Sequence, residues 1–521
     1  MRKAVFRKAQ RGRQYSDEYS VPAPVGGWNA RDSVANMEET DAVKLENWFP
    51  ETADVRVRDG FSDHVTGIGA QVESIMTYNR PNGTQTMFAA GNSEIYNVTS
   101  AGAVGAAVQT GLSNDRWQHV NYTNSAGTSY LCCFNGADAP RYWDNSSWTT
   151  VTGASSPAIT GVTTTGLISA FTHKRRMWLI EKDSLKLWYL PVDSVGGAAK
   201  ALDVAGNAQR GGYIMAGETW TLDSGEGIDD LLVVVTSEGE AIVYSGTDPS
   251  SASTWSLKGV WRIGEPIGRR CIVKYKGDCL IICRDGLYAL STALIGSTAA
   301  EDQALTYKIN KAMRDAAFNN FSNFGWQIFH YPKGNQLILN MPESEGSLQE
   351  QFVMNTFTGA WGRFTGIEAN CWGIYNGDAY FGTNGEVVKY AAGVYGDNGA
   401  NIDTDLQQAF SYLKSRGRLK HIKAMRPNLL IEGGVGASIG VDWDFETGTS
   451  LAAASFSPFA AGVWDTDLWD TGTWGGVELS NPWLTAEGTG TSAALRFKTA
   501  TQANTRLAAT DYLFEYGGVI G

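Results

Sequence analysis

The sequence predicts an all-β protein, and three observations predict it: composition, short β-rich runs broken by turn residues, and a module of such runs that recurs along the chain. Glycine supplies 60 of 521 residues, about 12% against a usual ~7%, and 18 Trp, 21 Tyr and 20 Phe accompany it. Aromatic side chains suit the pleated surface of strands, and glycine suits the tight turns between them. Apolar residues at 43% and charged residues at 18% describe a globular chain. No run of about 18 apolar residues occurs, so no membrane-spanning helix is expected. The length suggests three or so domains at roughly 150 residues each, or one large β unit with an addition.

The chain opens with a basic arm. Arg2, Lys3, Arg7, Lys8, Arg11 and Arg13 occur without an acid among them, while the remaining residues carry 36 basic against 54 acidic groups, a net −18. Val5 and Phe6 stand almost alone among these charges, so the arm lacks the apolar centre of a secretory signal. A body this acidic should repel polyanions rather than grip them. Three readings of the arm stand: direct DNA contact, docking on an acidic partner or a neighbouring subunit, and a solvated tail. Beyond it, Asn36 as N-cap with Glu39 three residues on, and a stop at Asn47 to Pro50, predict a docking helix over 37–47. Leu45, Trp48 and Phe49 would seat it.

From 61 to 400 the module repeats. Its clearest copies start at Tyr275-Lys-Gly-Asp and Tyr375-Asn-Gly-Asp, each reading strand, turn, strand, turn, strand, with Gly277, Gly377, Gly286 and Gly385 at positions suited to positive φ. Further copies run from Val72 to Val98, Trp117 to Trp148, Ile168 to Leu190, Leu231 to Trp261 and Phe329 to Met341. About seven units of 40–50 residues with recurring aromatics predict a β-propeller of about seven blades. Two or three β-sandwiches are the alternative. Two segments break the rhythm: Ile309, Met313, Ala316 and Ala317 stand at helical spacing, and Val192 to Gly212 reads as a long loop.

After residue 400 the rhythm stops, and 401–521 reads as a C-terminal β domain with strands near 428–432 and 438–445. It opens with a second basic cluster, Lys414, Arg416, Arg418, Lys420, Lys423 and Arg426, which is either a docking patch or a solvated strand face. Trp464, Trp469 and Trp474 recur at a five-residue step that fits neither helix nor strand, so they read as anchors in successive turns, packed under loops or stacked on a sugar or a neighbouring subunit. Asp442 and Asp444, like Asp465 and Asp467, could share a strand face as calcium ligands do, but no further oxygen ligands follow at a known spacing.

The search for chemistry yields little. His64, His119, His173, His330 and His421 are scattered, and no HExxH, GxSxG or Walker motif occurs. Six cysteines, Cys132, Cys133, Cys271, Cys279, Cys283 and Cys371, are too irregular for a disulfide framework or a zinc site, and they read as buried thiols. No catalytic residue, metal site or cofactor is expected. Propeller glycosidases remain a rival reading, because their paired carboxylates come from different blades. Ser251-Ala-Ser-Thr-Trp255 lacks the Asp and Gly of a sialidase Asp-box.

One resemblance goes further. Val21-Pro-Ala-Pro-Val-Gly-Gly-Trp-Asn-Ala-Arg-Asp-Ser-Val-Ala-Asn-Met37, continuing through Asp41 to Pro50 and Val57-Arg-Asp-Gly-Phe61, resembles tail proteins of bacteriophages. Gly246-Thr-Asp-Pro249 with Trp255, Gly259 to Gly264, the Trp-Asp repeats at 464–474 and Ala509 to Gly518 resemble them too. The whole looks like the nozzle (hub) protein of short-tailed phages. That resemblance implies a non-enzymatic β-propeller subunit of the virion tail, assembled in the bacterial host cytoplasm as a hexameric ring. The ring would sit below the portal and adaptor, with fibres or spikes nearby and double-stranded DNA leaving through its lumen without specific binding. The distal hub of a long-tailed phage and a glycan-binding or glycan-hydrolysing propeller at the tail tip are the alternatives.

Overall fold

The computed structural model describes residues 16–223, 228–293, 301–391, 393–448, 450–457, 461–462, 473–474, 478–486 and 488–519. The chain is all-β and forms two compact units. One comprises Trp28–Arg31 and Arg58–Ile402; the other combines residues up to Gly27, Asp32–Val57 and everything from Asp403. The arm, Trp464 and Trp469 lie outside the described residues; Trp474 ends the two-residue strand Thr473–Trp474, which pairs in parallel with Ala461–Gly462.

The larger unit is a propeller-like array of small antiparallel sheets. Their inner strands, in chain order, are the second half of Phe61–Asn79, then Gln118–Thr123, Leu167–His173, Ile214–Asp223, Ile272–Tyr275, Gln327–Tyr331 and Cys371–Tyr375. Each is followed by a hairpin-linked partner, as in Gln118–Thr123, Ser129–Phe134, Arg141–Trp143, Trp148–Thr150. The turns obey their residues: Lys276 and Gly277 have φ of 50° and 79°, and Asn376 and Gly377 have 51° and 79°. Two successive positive φ values match the twist of the flanking strands and give a tight hairpin.

Neighbouring sheets then bury apolar faces against each other. Met76, Phe88 and Ile95 pack with Trp117, Leu131 and Cys133. Cys132, Phe134 and Tyr142 pack with Met177 and Leu179, and Trp178 and Leu187 with Leu232, Val234 and Tyr244. Val233 and Val243 meet Cys279, Ile281 and Cys283, so these two cysteines do share a strand face. Leu280, Ile282 and Leu287 meet Leu337, Leu339 and Trp361. Phe329 stacks on Trp372 at 5.6 Å, and Val387 and Tyr380 return to Val72, Ile75 and Met87. All six cysteines are free and buried.

The ring is closed by one strand. Phe61–Asn79 pairs through Val65↔Val387 with the last sheet and through Met76↔Phe88 with the first. Beside this closure, Arg58 donates to both carboxylate oxygens of Asp397 at 2.8 and 2.6 Å, and a Cβ on Gly60 would fall 2.2 Å from the Gly396 carbonyl oxygen.

The second unit rests on two long antiparallel strands, Arg418–Ile431 and Thr505–Val519, with Asp17–Pro22 and Val55–Val57 added to the latter. A further sheet holds Asp41–Glu46, Ile402–Gln408, Ala493–Thr501, Val435–Trp443 and Ala452–Phe456. Residues 16–27 and 32–57 therefore fold with the chain's last part.

Two expectations are corrected. The docking helix over 37–47 is a turn followed by the strand Asp41–Glu46, which pairs Leu45↔Leu406. Pairing with a distant strand overrides the local capping signal, and Asn47, at φ 60°, ends the strand. The loop expected at 192–212 contains the strand Lys200–Asp203, the outer partner of Lys186–Tyr189. The helical spacing at 309–317 does form a helix, Asn310–Asn320, preceded by the single turn Tyr307–Ile309, and buries Ile309, Met313 and Ala317.

Candidate functional site

The inner strands converge on an axis that holds a cavity of about 230 Å³ lined by Ile75, His119, Ser169, Gly217, Arg270 and Trp372 among others, with a residue from every inner strand on its wall. Side chains also bridge neighbouring inner strands. Asn121 donates to Thr77 O at 2.9 Å and accepts from Asn79 N, and Thr219 Oγ1 donates to Thr172 O at 2.7 Å. Thr77 Oγ1 donates to Ile374 O at 2.8 Å, and Gln327 both donates to Trp372 O and accepts from Trp372 N.

Two adjacent arginines lead into this axis. Arg270 Nη2 donates to Glu73 O at 2.9 Å, Ser74 Oγ at 3.2 Å and Trp117 O at 3.3 Å; its Nη1 is buried with no hydrogen-bond partner among the described residues. Arg269 Nη1 donates to Ile214 O at 2.6 Å and Met215 O at 3.3 Å. Desolvation holds both guanidiniums below their ordinary pKa. Desolvation, with repulsion from Arg270, pulls the pKa of His119, which lines this cavity, down to about 4. His173 falls to about 4 as well, through burial and then Lys174. Both rings are neutral at pH 7.

The turns at the two ends of the axis differ in composition, although Lys174, Arg175 and Lys333 pair with Asp230, Asp193 and Asp378 at their own end. The turns that link first and second strands carry Arg80, Lys174, Arg175, Lys276 and Lys333, and no acid among the described residues. The turns that link second and third strands carry Asp138, Asp183, Glu238, Asp285 and Glu345 against Lys182 and Arg284. At this second end lies a hollow of about 640 Å³ lined by Glu73, Asp115, Arg116, Arg269, Arg270 and Phe324 among others.

The residues singled out in sequence are dispersed. The second basic cluster lies on and before the strand Arg418–Ile431, and its side chains meet partners inside their own unit. Lys414 reaches Asp17 Oδ1 at 3.2 Å, Lys423 reaches Glu515 at 3.3 Å and Arg426 reaches Asp511 at 2.6 Å. Arg416 and Arg418 lie over Tyr412 and Tyr516, and the buried Lys420 donates to the Ser415 and Thr491 carbonyls. Asp442 accepts from Gln407, and Asp444 accepts from Thr491 and Ser492 as a turn cap, so the two do not act together. Among the described residues no cluster of His, Cys, Asp and Glu could hold a metal, and no helix is long and apolar enough to cross a membrane. Sequence reasoning missed Arg269 and Arg270, because two adjacent bases before a strand read as solvated; only the topology turns them inward.

No protein-family model and no curated protein matches the chain. Among solved structures, it is similar to that of BBS1N in complex with ARL6DN, at 9% identity and a TM-score of 0.38, over 65% of this chain and 99% of that one. It is also similar to YCF48 bound to D1 peptide, at 10% identity and a TM-score of 0.36, over 67% of this chain and 98% of that one. At such scores no role is transferred from either.

Proposed function

We propose that this chain is a structural, non-enzymatic subunit of a short bacteriophage tail, its nozzle or hub, built on a seven-bladed propeller and working as a ring. One observation carries the reading. Two of the stretches that resemble tail proteins come from opposite ends of the chain, and they pair with each other: Val21↔Thr510 and Pro22↔Ala509. A resemblance confined to composition would have no reason to fall on residues that join one sheet.

The size of the axial cavity supports a passage outside the propeller axis. A cavity of about 230 Å³ admits no duplex, whose major groove alone is about 12 Å wide. The conduit in this reading therefore runs between copies of the chain, hexameric by the resemblance. Acidic residues facing it would let phosphates slide, where a basic wall would release counterions and hold them.

Electron microscopy of the purified protein, alone and mixed with its virion neighbours, tests the proposal. Rings with an open centre are the expected result. A particle that stays single in both samples and cleaves or binds host glycan would replace this reading with the glycan one. Deleting residues 1–13 should leave a folded body but lower its incorporation into tails.

A further inference from the structure

We propose that copies of this chain join through the outer face of the helix Asn310–Asn320, which seats Phe318 in a small-residue trough on the second unit of the next copy. The inference deepens the tail reading, from which it takes only that copies assemble, by naming the surface on each side of the joint. Both surfaces stand open in the single chain.

The knob follows from helical periodicity. Met313 and Ala317 turn into the propeller core, while Lys311, Arg314, Phe318 and Phe321 follow one another along a different face. All four are exposed, and Phe318 is 83% exposed. The Arg284 guanidinium lies 3.9 Å from the centre of the Phe321 ring; no ring or cation lies over Phe318 among the described residues. Burying such a ring against a partner is favourable, and a rigid helix presents it at little cost in order. Lys311, on the same face, holds no ion pair among the described residues, not even with Asp315 one turn on.

The second unit holds the complement. Gly436, Ser438, Ala453 and Ser455 share an exposed sheet face through the pairs Gly436↔Ser455 and Ser438↔Ala453. Side chains this short leave a trough of about 640 Å³ above them, and its wall carries Glu46, Asp403 and Asp405. Asp405 already meets Lys44, Arg496 and Lys498, and Glu46 meets Lys44. Asp403 is exposed and has no ion pair among the described residues, so it is the acid left for Lys311.

Charge selects the occupant. Two copies meeting helix to helix would set Lys311 and Arg314 against bases, whereas helix to trough sets Lys311 against Asp403 on a chain of net charge −12. The two surfaces differ, so the contact is heterologous. Each copy offers its helix to one neighbour and its trough to another, which is the kind of joint a closed ring needs.

Sedimentation of the full chain over a concentration series reads the joint. Association is expected, and Phe318→Asp should weaken it about tenfold or more. Lys311→Glu should weaken it too, and adding Asp403→Lys to that variant should restore it; all three positions are exposed, so the fold is kept. The native cysteines are all buried, which leaves introduced thiols to report alone. Phe318→Cys protein mixed with Ala453→Cys protein should form a disulfide between copies, and Phe357→Cys protein, equally open at 73% exposure, should not. Unchanged association in Phe318→Asp, no rescue by Asp403→Lys, or equal crosslinking from Phe357→Cys would overturn the proposal. So would binding of Phe318 to anionic phosphatidylserine vesicles in place of copies. A chain that stays single at every concentration would overturn it as well, and would leave the tail reading to be decided by mixing with the virion neighbours.

Discussion

The propeller and the unit made from the two chain ends close themselves with different materials. In the propeller, sheets meet face to face through apolar side chains, and amides and hydroxyls stitch the inner strands together. In the end-built unit, several carboxylates each gather cations from separate strands. Asp405 takes Lys44, Arg496 and Lys498; Asp511 takes Arg426; Glu51 takes Arg56 and Arg506. Apolar faces lose little to salt or pH, whereas exposed charge networks are screened. The difference teaches where each unit is vulnerable: the propeller at the few buried charged and titratable groups it contains, the other unit at ionic strength.

The largest effect should come from the propeller's seam. Arg58 is fully buried, and Arg58→Ala would leave Asp397 without its two-pronged partner at a cost of about 3–5 kcal/mol, read from the urea midpoint. A loss below about 1 kcal/mol, the range of exposed pairs, would erase the contrast. Next comes the apolar packing itself. Ile281→Ala, between two sheets, should cost about 2–5 kcal/mol and be insensitive to added salt. Strong salt dependence there would mean that the interface is not the dry one described.

These targets were unequally visible before folding. The apolar strands and their glycine turns were legible because period-two patterns and positive-φ residues are local signals, as at Lys276-Gly277 and Asn376-Gly377. The strand Asp41–Glu46 was not, because its partner strand begins at Ile402 and local capping residues pointed to a helix. The same limit hid the inward turn of Arg269 and Arg270. It also hid the function of Lys420, a base that reads as solvated yet is buried against two carbonyls.

Acid should separate the two units next. His173 is buried and neutral, with its pKa lowered from 6.5 to about 4. The unfolded chain therefore binds a proton that the folded state refuses. Stability from this group is complete above about pH 6.5 and declines toward pH 4 by at most ~1.4 kcal/mol per unit. Asp511 has the same sign in a more acid window: burial pushes its pKa up, but hydrogen bonds from Ser20, Asn428 and Arg426 outweigh that and hold it below 3.8, so its contribution is complete above about pH 3.8 and is lost as pH falls through the lower value. Hydrogen exchange at pH 7 and pH 5 should show protection falling first in the strand Leu167–His173, with Thr505–Val519 unchanged. His173→Gln should flatten the decline, and a parallel decline in parent and variant would assign it elsewhere.

The smallest effect tests the network side. Lys498 stands 3.5 Å from Asp405 with nearly half its side chain exposed, at 47%. Lys44 and Arg496 approach the same carboxylate to 2.6 and 2.5 Å. Removing the most distant of three cations leaves the carboxylate compensated, so Lys498→Ala should cost under ~0.5 kcal/mol in low salt and nothing measurable at 1 M, where the Debye length is about 3 Å. Arg496→Ala, which also removes the bond to Gln407 at 2.9 Å, should cost more and keep part of its effect in high salt. If both variants lost the same stability at every salt concentration, Asp405 would be acting through packing. The end-built unit would then be held by the same means as the propeller.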